Sequence, residues 1–302
     1  MKSYRSLNEV KARFDEVYCS PTPHAYFNEM HSLEYAIGQE ARPYFHAIVS
    51  LMRRKLGPQQ TIRMLDLGCS YGVGSALVKY GFSFGEIAGF FENQASRDFK
   101  VCVKDTRDWL ADNQPAKPVS CIGADASSEA IHFATEAGLI DGGIAQDLEK
   151  DQDLSDEDRG LIRQCNLLIS TGAIGYVGEK TLSAILSHLG KGRTSVGPFT
   201  AVTILRMFPS EPVVRTFEQF GYQFKPVPGV QLRQRRFRDD EEQCETLRIL
   251  NERHLDTSGL EAEGYLYADL YVAGPTAELD EVLAQMELMR LKLEGEVTTD
   301  AR

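Results

Sequence analysis

The pattern of hydrophobic and polar positions changes near residue 60. Residues 1–60 show helical spacing of apolar side chains, many of them aromatic, with a break at Pro21 and Pro23. Beyond this point short apolar runs alternate with helical stretches, which is typical of repeated β-α units and of a parallel sheet buried on both faces. The runs that we predict as strands are 62–67, 119–124, 143–146, 167–170, 201–207, 222–230 and 265–273.

These strands divide the chain into three regions. Residues 1–60 are predicted to form a helical lid, residues 61–275 an α/β domain, and residues 276–302 a C-terminal helix and tail. About 50 residues separate the first two strands, more than a simple crossover requires, so residues 82–118 are predicted to be a helical insertion after the first βα unit. We therefore expect a seven-stranded, mostly parallel sheet with helices on both faces.

The C-terminal segment carries one apolar face at helical spacing, formed by Leu279, Val282, Leu283, Met286 and Met289. Two interpretations stay open at this point. The helix packs on its own domain, or it pairs with a second copy of the chain in a homodimer.

Composition narrows the classes of partner. The 302 residues carry a net charge of −11. Binding along DNA or RNA needs a basic face, so we predict no nucleic-acid partner. No window approaches the ~20 apolar residues of a membrane span, which predicts no membrane association. The six cysteines are scattered, without Cys-x-x-Cys or zinc-ligand spacing, which predicts reduced thiols, no metal site and a cytoplasmic protein.

A loop rich in small residues follows the first predicted strand, at residues 68–75. Small residues allow a tight turn and let a ligand approach main-chain N–H groups at the start of a helix. A dinucleotide fingerprint would need glycine where this chain has Ser70 and Val73, and a P-loop would need Gly-Lys-Ser/Thr at its end. The loop therefore predicts a binding site of another kind.

Residues 66–74 resemble the first motif of the class I, Rossmann-like methyltransferases that use S-adenosylmethionine (SAM), whose pattern is acid-x-Gly-x-Gly-x-Gly. Asp66, Gly68 and Gly72 match this pattern, and Ser70 replaces the middle glycine. The resemblance implies SAM as the cofactor, bound by Asp66, Gly68, Cys69, Ser70 and Gly72. The alternative is an ordinary glycine-rich βα turn in another α/β protein.

An acid also ends the second predicted strand. Asp125, followed by Ala126, is well placed to accept hydrogen bonds from both ribose hydroxyls of a nucleoside, as in other Rossmann-like sites. Its alternative role is to flank the N-cap of the next helix, which Ser127 suits. The two roles are compatible, with Ser127 capping the helix and Asp125 binding the cofactor.

After the third predicted strand the resemblance assigns Asp147 to the adenine amino group, with Gln146 as its substitute and Leu148 beside them. The alternative for Asp147 is a solvated acid in the acidic run 147–158. The fourth strand ends in small polar residues at the edge where open α/β sheets bind their ligands. We predict that Ser170 and Thr171 face the cofactor and that Gly172 lines the methyl-transfer site.

Residues for the methyl acceptor are harder to assign, because methyl transfer needs orientation and exclusion of water more than a strong acid. A hydroxyl or ammonium acceptor needs a base, for which His24 and His31 are candidates, with Tyr176 as an orienting group. The alternative is that both histidines are packed or surface residues. The tyrosines predicted to contact the substrate, or else to dock the lid, are Tyr18, Tyr26 and Tyr35.

Two arginines complete the predicted site. Arg206 ends the fifth strand and Arg235 belongs to a basic cluster, and on so acidic a chain both suggest recognition of a carboxylate or phosphate on the substrate. For the cluster, a charged edge strand opposite residues 239–242 is the alternative.

The sequence as a whole predicts an enzyme that transfers the methyl group of SAM to a small molecule, at oxygen or nitrogen. One alternative is a protein or RNA methyltransferase, although the acidic charge disfavours RNA. The other is a SAM-binding regulator or scaffold without catalysis.

Overall fold

The computed structural model of the protein describes residues 15–57, 60–113, 115, 118–192 and 196–300. Residues 1–14 of the predicted lid and 301–302 of the predicted tail therefore lie outside the described residues. The strands are β1 Ile62–Leu67, β2 Val119–Asp125, β3 Gly142–Ala145, β4 Leu167–Ser170, β5 Phe199–Leu205, β6 Gln223–Arg236 and β7 Tyr265–Gly274.

All of these strands belong to one sheet, in the order β3-β2-β1-β4-β5-β7-β6. The pairs from β3 to β5 are parallel, whereas β7 runs antiparallel to both β5 and β6. The predicted seven-stranded, mostly parallel sheet is confirmed. β6 extends beyond its predicted end at residue 230, because its arginine-rich second half pairs with β7.

Helices fill the connections between the strands. They are α1 Asp15–Tyr18, α2 His24–Ser32, α3 Ile37–Leu56, α4 Val73–Ser75, α5 Phe84–Glu92, α6 Phe99–Asp112, α7 Ser128–Glu136, α8 Asp156–Gln164, α9 Glu179–Leu186, α10 Glu211–Gln219, α11 Asp240–Glu252 and α12 Thr276–Asp300. A π-helical turn, Ala76–Tyr80, continues α4, and a 3₁₀ turn, Glu261–Glu263, precedes β7.

Several helices begin at a short polar residue that caps the free N–H groups of the first turn. Ser127 accepts from the backbone of Ala130 at the start of α7, as its sequence context predicts. Ser83 and Glu86 form a reciprocal capping box at α5. Local sequence therefore determines where these helices start.

The core lies on both faces of the sheet. Every residue of β5 is buried, and so are Met64 and Leu65 of β1, which agrees with the continuous apolar runs that a doubly covered parallel sheet requires. α3 packs against β1 and β6, so this part of the predicted lid belongs to the helical layer on the sheet. The shorter helices α1 and α2 precede it, and α2 packs on α5.

The C-terminal helix α12 packs on its own domain, against α3, β6 and β7. Leu279, Val282 and Met286 of the predicted apolar face are buried there, while Leu288 and Leu291 are exposed. The homodimer stays a prediction. No helix among the described residues is long and apolar enough to cross a membrane.

Candidate functional site

The centre of the sheet contains a topological switch point. From β1 the chain proceeds outward to β2 and β3, then returns to β4 on the other side of β1. Connections that leave two adjacent parallel strands in opposite directions open a crevice at their carboxyl ends, where α/β proteins bind ligands. The loop 68–72 after β1 and the residues 171–173 after β4 border this crevice.

The loop after β1 has an unusual backbone. Gly68 and Gly72 have φ values of 76° and 81°, and Ser70 also has a positive φ, of 48°. Residues other than glycine seldom adopt this left-handed region, and such strain concentrates at functional sites. Ser70 thus adopts a left-handed conformation. Glycine, the usual residue at the middle position of the motif, adopts this conformation without strain.

Close packing fixes the loop against its neighbours. A side chain at Gly68 would place its Cβ 2.4 Å from the Cβ of Ala173, in the segment after β4. A Cβ at Gly72 would lie 3.0 Å from the Cβ of Leu139. Both glycines are therefore required by close approach as well as by positive φ.

Asp66 lies beneath this loop, near the end of β1, and is only 3% exposed. It accepts hydrogen bonds from the backbone N–H groups of Gly74 and Ser75, and a Cβ at Gly74 would come within 2.3 Å of its Oδ2. Burial, together with the nearby charge of Asp125, raises the pKa of Asp66 to about 7. Its Oδ2 is buried and has no hydrogen-bond partner among the described residues.

Asp125 joins the two loops that follow β1 and β2. Its Oδ2 accepts a hydrogen bond from Ser70 N and its Oδ1 one from Ser127 N, each at 2.9 Å. Burial raises the pKa of this carboxyl, and the backbone donors of Ser127 and Ser70 oppose that rise. A carboxylate offers about four acceptor positions, so lone pairs remain for ligand hydroxyls.

The residues after β3 are engaged in their own turn. Gln146 Nε2 donates to the carbonyl of Asp151 at 3.1 Å. Asp147 Oδ2 lies 2.8 Å from Nζ of Lys150, and Leu148 is buried. The geometry thus favours the solvated alternative for Asp147, and its contact with adenine stays a prediction.

The predicted contacts after β4 divide into two roles. Ser170 is fully buried and its Oγ donates to the carbonyl of Leu67 at 2.8 Å, which ties β4 to β1. Gly172 N donates to Oγ1 of Thr203, and Thr171 is hydrogen-bonded to Tyr35 through its side chain. Thr171 and Gly172 therefore border the crevice, whereas Ser170 stabilises its floor.

The N-terminal segment is bonded to the loops that border the crevice. Tyr71, in the loop after β1, donates to the carbonyl of Ser20 at 2.7 Å, and Ser127 donates to the carbonyl of Tyr18 at 2.7 Å. The Tyr26 ring centroid lies 5.4 Å from that of Tyr18 and 5.6 Å from that of Tyr71. The lid is thus attached to both loops that border the predicted cofactor site.

The three predicted substrate tyrosines are gathered at this point. Burial raises the pKa of Tyr18, Tyr26 and Tyr35, and the charge of Asp125 adds to the rise for Tyr18 and Tyr26. Tyr176 is exposed and also raises the pKa of Tyr18, so it lies near the rim. At neutral pH the buried phenols stay protonated and act as hydrogen-bonding and aromatic surfaces.

No protein-family model matches the chain, and no curated protein matches its sequence. Several solved structures have a similar fold. A TehB-like SAM-dependent methyltransferase from Corynebacterium glutamicum is 15% identical, covering 61% of this chain and 74% of its own, with a TM-score of 0.35. The chain is similar to SAM-dependent methyltransferases.

Two further similar structures contain S-adenosylhomocysteine. Magnesium protoporphyrin IX methyltransferase from Synechocystis is 10% identical, covering 79% of this chain and 84% of its own, with a TM-score of 0.38. A SAM-dependent methyltransferase from Geobacter sulfurreducens is 14% identical, covering 76% and 90%, with a TM-score of 0.32.

The two candidate bases lie elsewhere. His24 is buried, its Nδ1 is 3.1 Å from Oγ1 of Thr22, and its ring meets Phe91 edge-on. Burial and Arg97 lower the pKa of His24 to about 4. His31 is exposed and pairs with Glu92 at 2.5 Å. Both histidines face α5, which agrees with the alternative that they are packed or surface residues.

The two candidate arginines have structural partners. Arg206 is paired with Glu261 at 2.5 Å and donates to the carbonyl of Asp256. Arg235, which is 1% exposed, makes a bidentate pair with Glu242, with N–O distances of 2.8 and 2.6 Å. Recognition of a substrate anion was expected of both side chains, but buried carboxylates hold them instead.

One polar residue at the crevice was missed by the sequence analysis. Gln234 is 2% exposed, and its amide lies over Gly172. Its signal is the alternation along β6, where Val230, Leu232 and Gln234 occupy successive inward positions. The predicted strand ends at residue 230, so the inward glutamine lies outside it.

Proposed function

We propose that the protein binds SAM in the crevice between β1 and β4 and transfers its methyl group to a small-molecule acceptor. One observation carries this proposal: Asp125 accepts from the strained loop residue Ser70 at the switch point. Asp125 thereby fixes the loop while its carboxylate keeps acceptor positions for ribose hydroxyls. This combination suits a nucleoside ligand.

The residues present fit the cofactor. Ser70 Oγ and Asp66 Oδ2 are buried polar atoms without a hydrogen-bond partner in the described part of the chain, and both border or underlie the loop. Such atoms are costly unless a ligand or water bonds to them. The sulfonium and ammonium groups of SAM are cationic, and the carboxyl groups of Asp66 and Asp125 provide a favourable field for them.

The chain's own contribution is orientation and exclusion of water. When bound, SAM supplies an electrophilic methyl group on its sulfonium. Tyr71 and Ser127 attach the lid over the crevice, and Tyr18 and Tyr26 cover it with aromatic surface. An acceptor held against a fixed methyl donor in a dry site reacts without a strong catalytic acid.

Calorimetry with SAM tests the cofactor. The purified chain should bind SAM, and Asp125→Ala should weaken binding by about tenfold or more, because a charge-assisted hydrogen bond contributes roughly 1.5–3 kcal/mol. Asp153→Ala is the control, since that carboxylate is 87% exposed and pairs with Arg159. Equal affinities of the two variants would refute the assignment of Asp125.

Methyl transfer needs a second measurement. Incubation of the protein with cell extract and SAM carrying a deuterated methyl group, read by mass spectrometry, should label the small-molecule fraction. Label in protein or RNA would show that the acceptor is a macromolecule and not a small molecule. SAM binding without any label would make the protein a SAM-binding regulator or scaffold.

A further inference from the structure

Gln234 occupies a β-bulge in β6. Arg233 pairs with Tyr267 and Arg235 with the adjacent Leu266, so Gln234 is the extra residue on the bulged strand. A bulge redirects a side chain, and bulges are frequent beside active sites. The carbonyl of Gln234 accepts from Ala36 N at 2.8 Å, which brings the connection between α2 and α3, with Tyr35, next to the bulge.

The side chains of Gln234 and Tyr35 meet over Gly172. A Cβ built on Gly172 would lie 3.2 Å from Nε2 of Gln234 and 3.4 Å from the hydroxyl oxygen of Tyr35. The φ of +68° at this residue also favours glycine. A Cβ here would crowd the amide, so glycine is what lets the amide and the phenol approach the carboxyl end of β4.

The amide of Gln234 has unused hydrogen-bonding capacity. Its Oε1 is buried and accepts from no donor in the described part of the chain. An unpaired acceptor in a buried position is destabilising, and a ligand that donates a hydrogen bond to it would recover the lost stability. The unpaired oxygen of Gln234 thus calls for a ligand with an N–H or O–H group that donates to it.

The charges around this space favour a cationic or neutral ligand over an anion. Asp66 and Tyr35 interact electrostatically, and Tyr26 interacts with both Asp66 and Asp125. Arg235, whose charge reaches Tyr35, is neutralised by its bidentate contact with Glu242. Tyrosine rings beside carboxylates are favourable surroundings for an amine.

We propose that Gln234 and Tyr35 bind the methyl acceptor and that the acceptor is an amine, which donates an N–H hydrogen bond to Oε1 of Gln234. This inference rests on the proposed function and adds the substrate class to it. The predicted bases His24 and His31 both face α5, so neither is placed to remove the proton of a hydroxyl acceptor. An amine that has lost its proton to solvent before it binds already has the lone pair that attack requires.

The reaction balances without another reactant. The nitrogen lone pair forms the new N–C bond while the S–C bond breaks and leaves its electrons on sulfur. The nitrogen, now carrying one bond more, releases a proton to solvent. The products are the methylated amine, a proton and neutral S-adenosylhomocysteine.

The first test determines the labelled atom. The full chain is incubated with methyl-deuterated SAM and the small-molecule fraction of the source cells, and products are fragmented in the mass spectrometer. Label on nitrogen is expected. Label on oxygen, sulfur or carbon of a small molecule overturns the inference alone. No labelled product, or no binding of SAM by calorimetry, overturns the proposed function and the inference together.

The second test compares two glutamines of β6. Gln234→Leu should lower kcat/KM for the labelled product at least tenfold, mainly through KM, and leave SAM affinity within twofold of the wild type. Gln231→Leu, at an exposed position of the same strand, should change neither quantity. Gln234→Glu keeps an acceptor oxygen and should recover part of the lost activity. Equal kinetics for the two leucine variants, with both folded by melting temperature, would overturn the assignment.

Discussion

Asp125 Oδ2 accepts a hydrogen bond of 2.9 Å from Ser70 N, a contact between residues 55 positions apart in the chain. Ser70 is held in the left-handed backbone region that its side chain disfavours. The second oxygen of Asp125 is bonded to Ser127 N, so one carboxylate determines the relative position of two loops. The shape of the candidate cofactor site therefore depends on this pair.

Ser70→Ala should stabilise the protein without ligand. The Ser70 hydroxyl is buried and has no partner in the described part of the chain, so its removal should raise the free energy of unfolding by about 1 kcal/mol. Urea denaturation measures this change. Ser75→Ala is the matched control, because Ser75 Oγ donates to the carbonyl of Leu139 at 2.5 Å and its loss should be destabilising by about 1 kcal/mol. A loss of stability in both variants would contradict the prediction.

Asp66 should make stability depend on pH. Its folded-state pKa of about 7 lies above the ordinary value of an unfolded aspartate, so protonation favours the folded state. The contribution of this carboxyl is therefore greatest near pH 4 and is lost as the pH rises through 7. The loss is on the order of 2–4 kcal/mol.

Asp66→Asn should remove that pH dependence. Chemical denaturation of the wild type and the variant between pH 4.5 and 8.5 should give curves that diverge as the pH rises, with the variant more stable above pH 7. The difference between the two proteins isolates Asp66 from other carboxyls whose pKa is raised, such as Asp125 and Asp269. Parallel curves would show that Asp66 does not titrate in this range.

Tyr71→Phe should loosen the lid. The variant keeps the ring contact with Tyr26 but loses the hydroxyl that donates to the carbonyl of Ser20. Hydrogen exchange of the amides in α2 should become faster, with a stability loss of about 1 kcal/mol. Tyr80→Phe, in the π-helical turn, is the control. Unchanged exchange in α2 would mean that this hydroxyl does not hold the lid.

The buried pair of Arg235 and Glu242 should act as a unit. Glu242→Leu alone leaves a buried guanidinium without its carboxylate and should cost about 3–5 kcal/mol. The double variant Arg235→Met with Glu242→Leu should lose much less, because no unpaired charge remains. Denaturation of both variants tests this. A double variant that loses as much stability as Glu242→Leu, or more, would contradict the prediction.

Much of the architecture was predictable because its signals are local. Apolar runs such as 62–67 and 167–170 match β1 and β4 in full, since strands buried on both faces need continuous hydrophobic residues. The loop after β1 was recognisable from a few adjacent small residues, and Ser127 was recognisable as a cap from its neighbours. The three tyrosines of the predicted lid lie close together, and their contact with a substrate stays a prediction.

Partners of polar groups were not predictable. Arg206 and Arg235 were expected to bind a substrate anion, yet Glu261 and Glu242 hold them. His24 and His31 lie in the same helix as Tyr26, but helix periodicity turns them toward α5. The sequence gives the charge of a side chain directly, whereas its partner depends on which distant segment packs beside it.

The sequence by itself determined the β-α order, the glycine-rich turn and the acids that end two strands, because hydrophobic period and turn chemistry act over a few neighbouring residues. Only the tertiary structure decided the strand order and the antiparallel β7. It also decided that a bulge places Gln234 over Gly172 beside Tyr35. These contacts join residues that are far apart in the chain, and packing of the whole domain selects them.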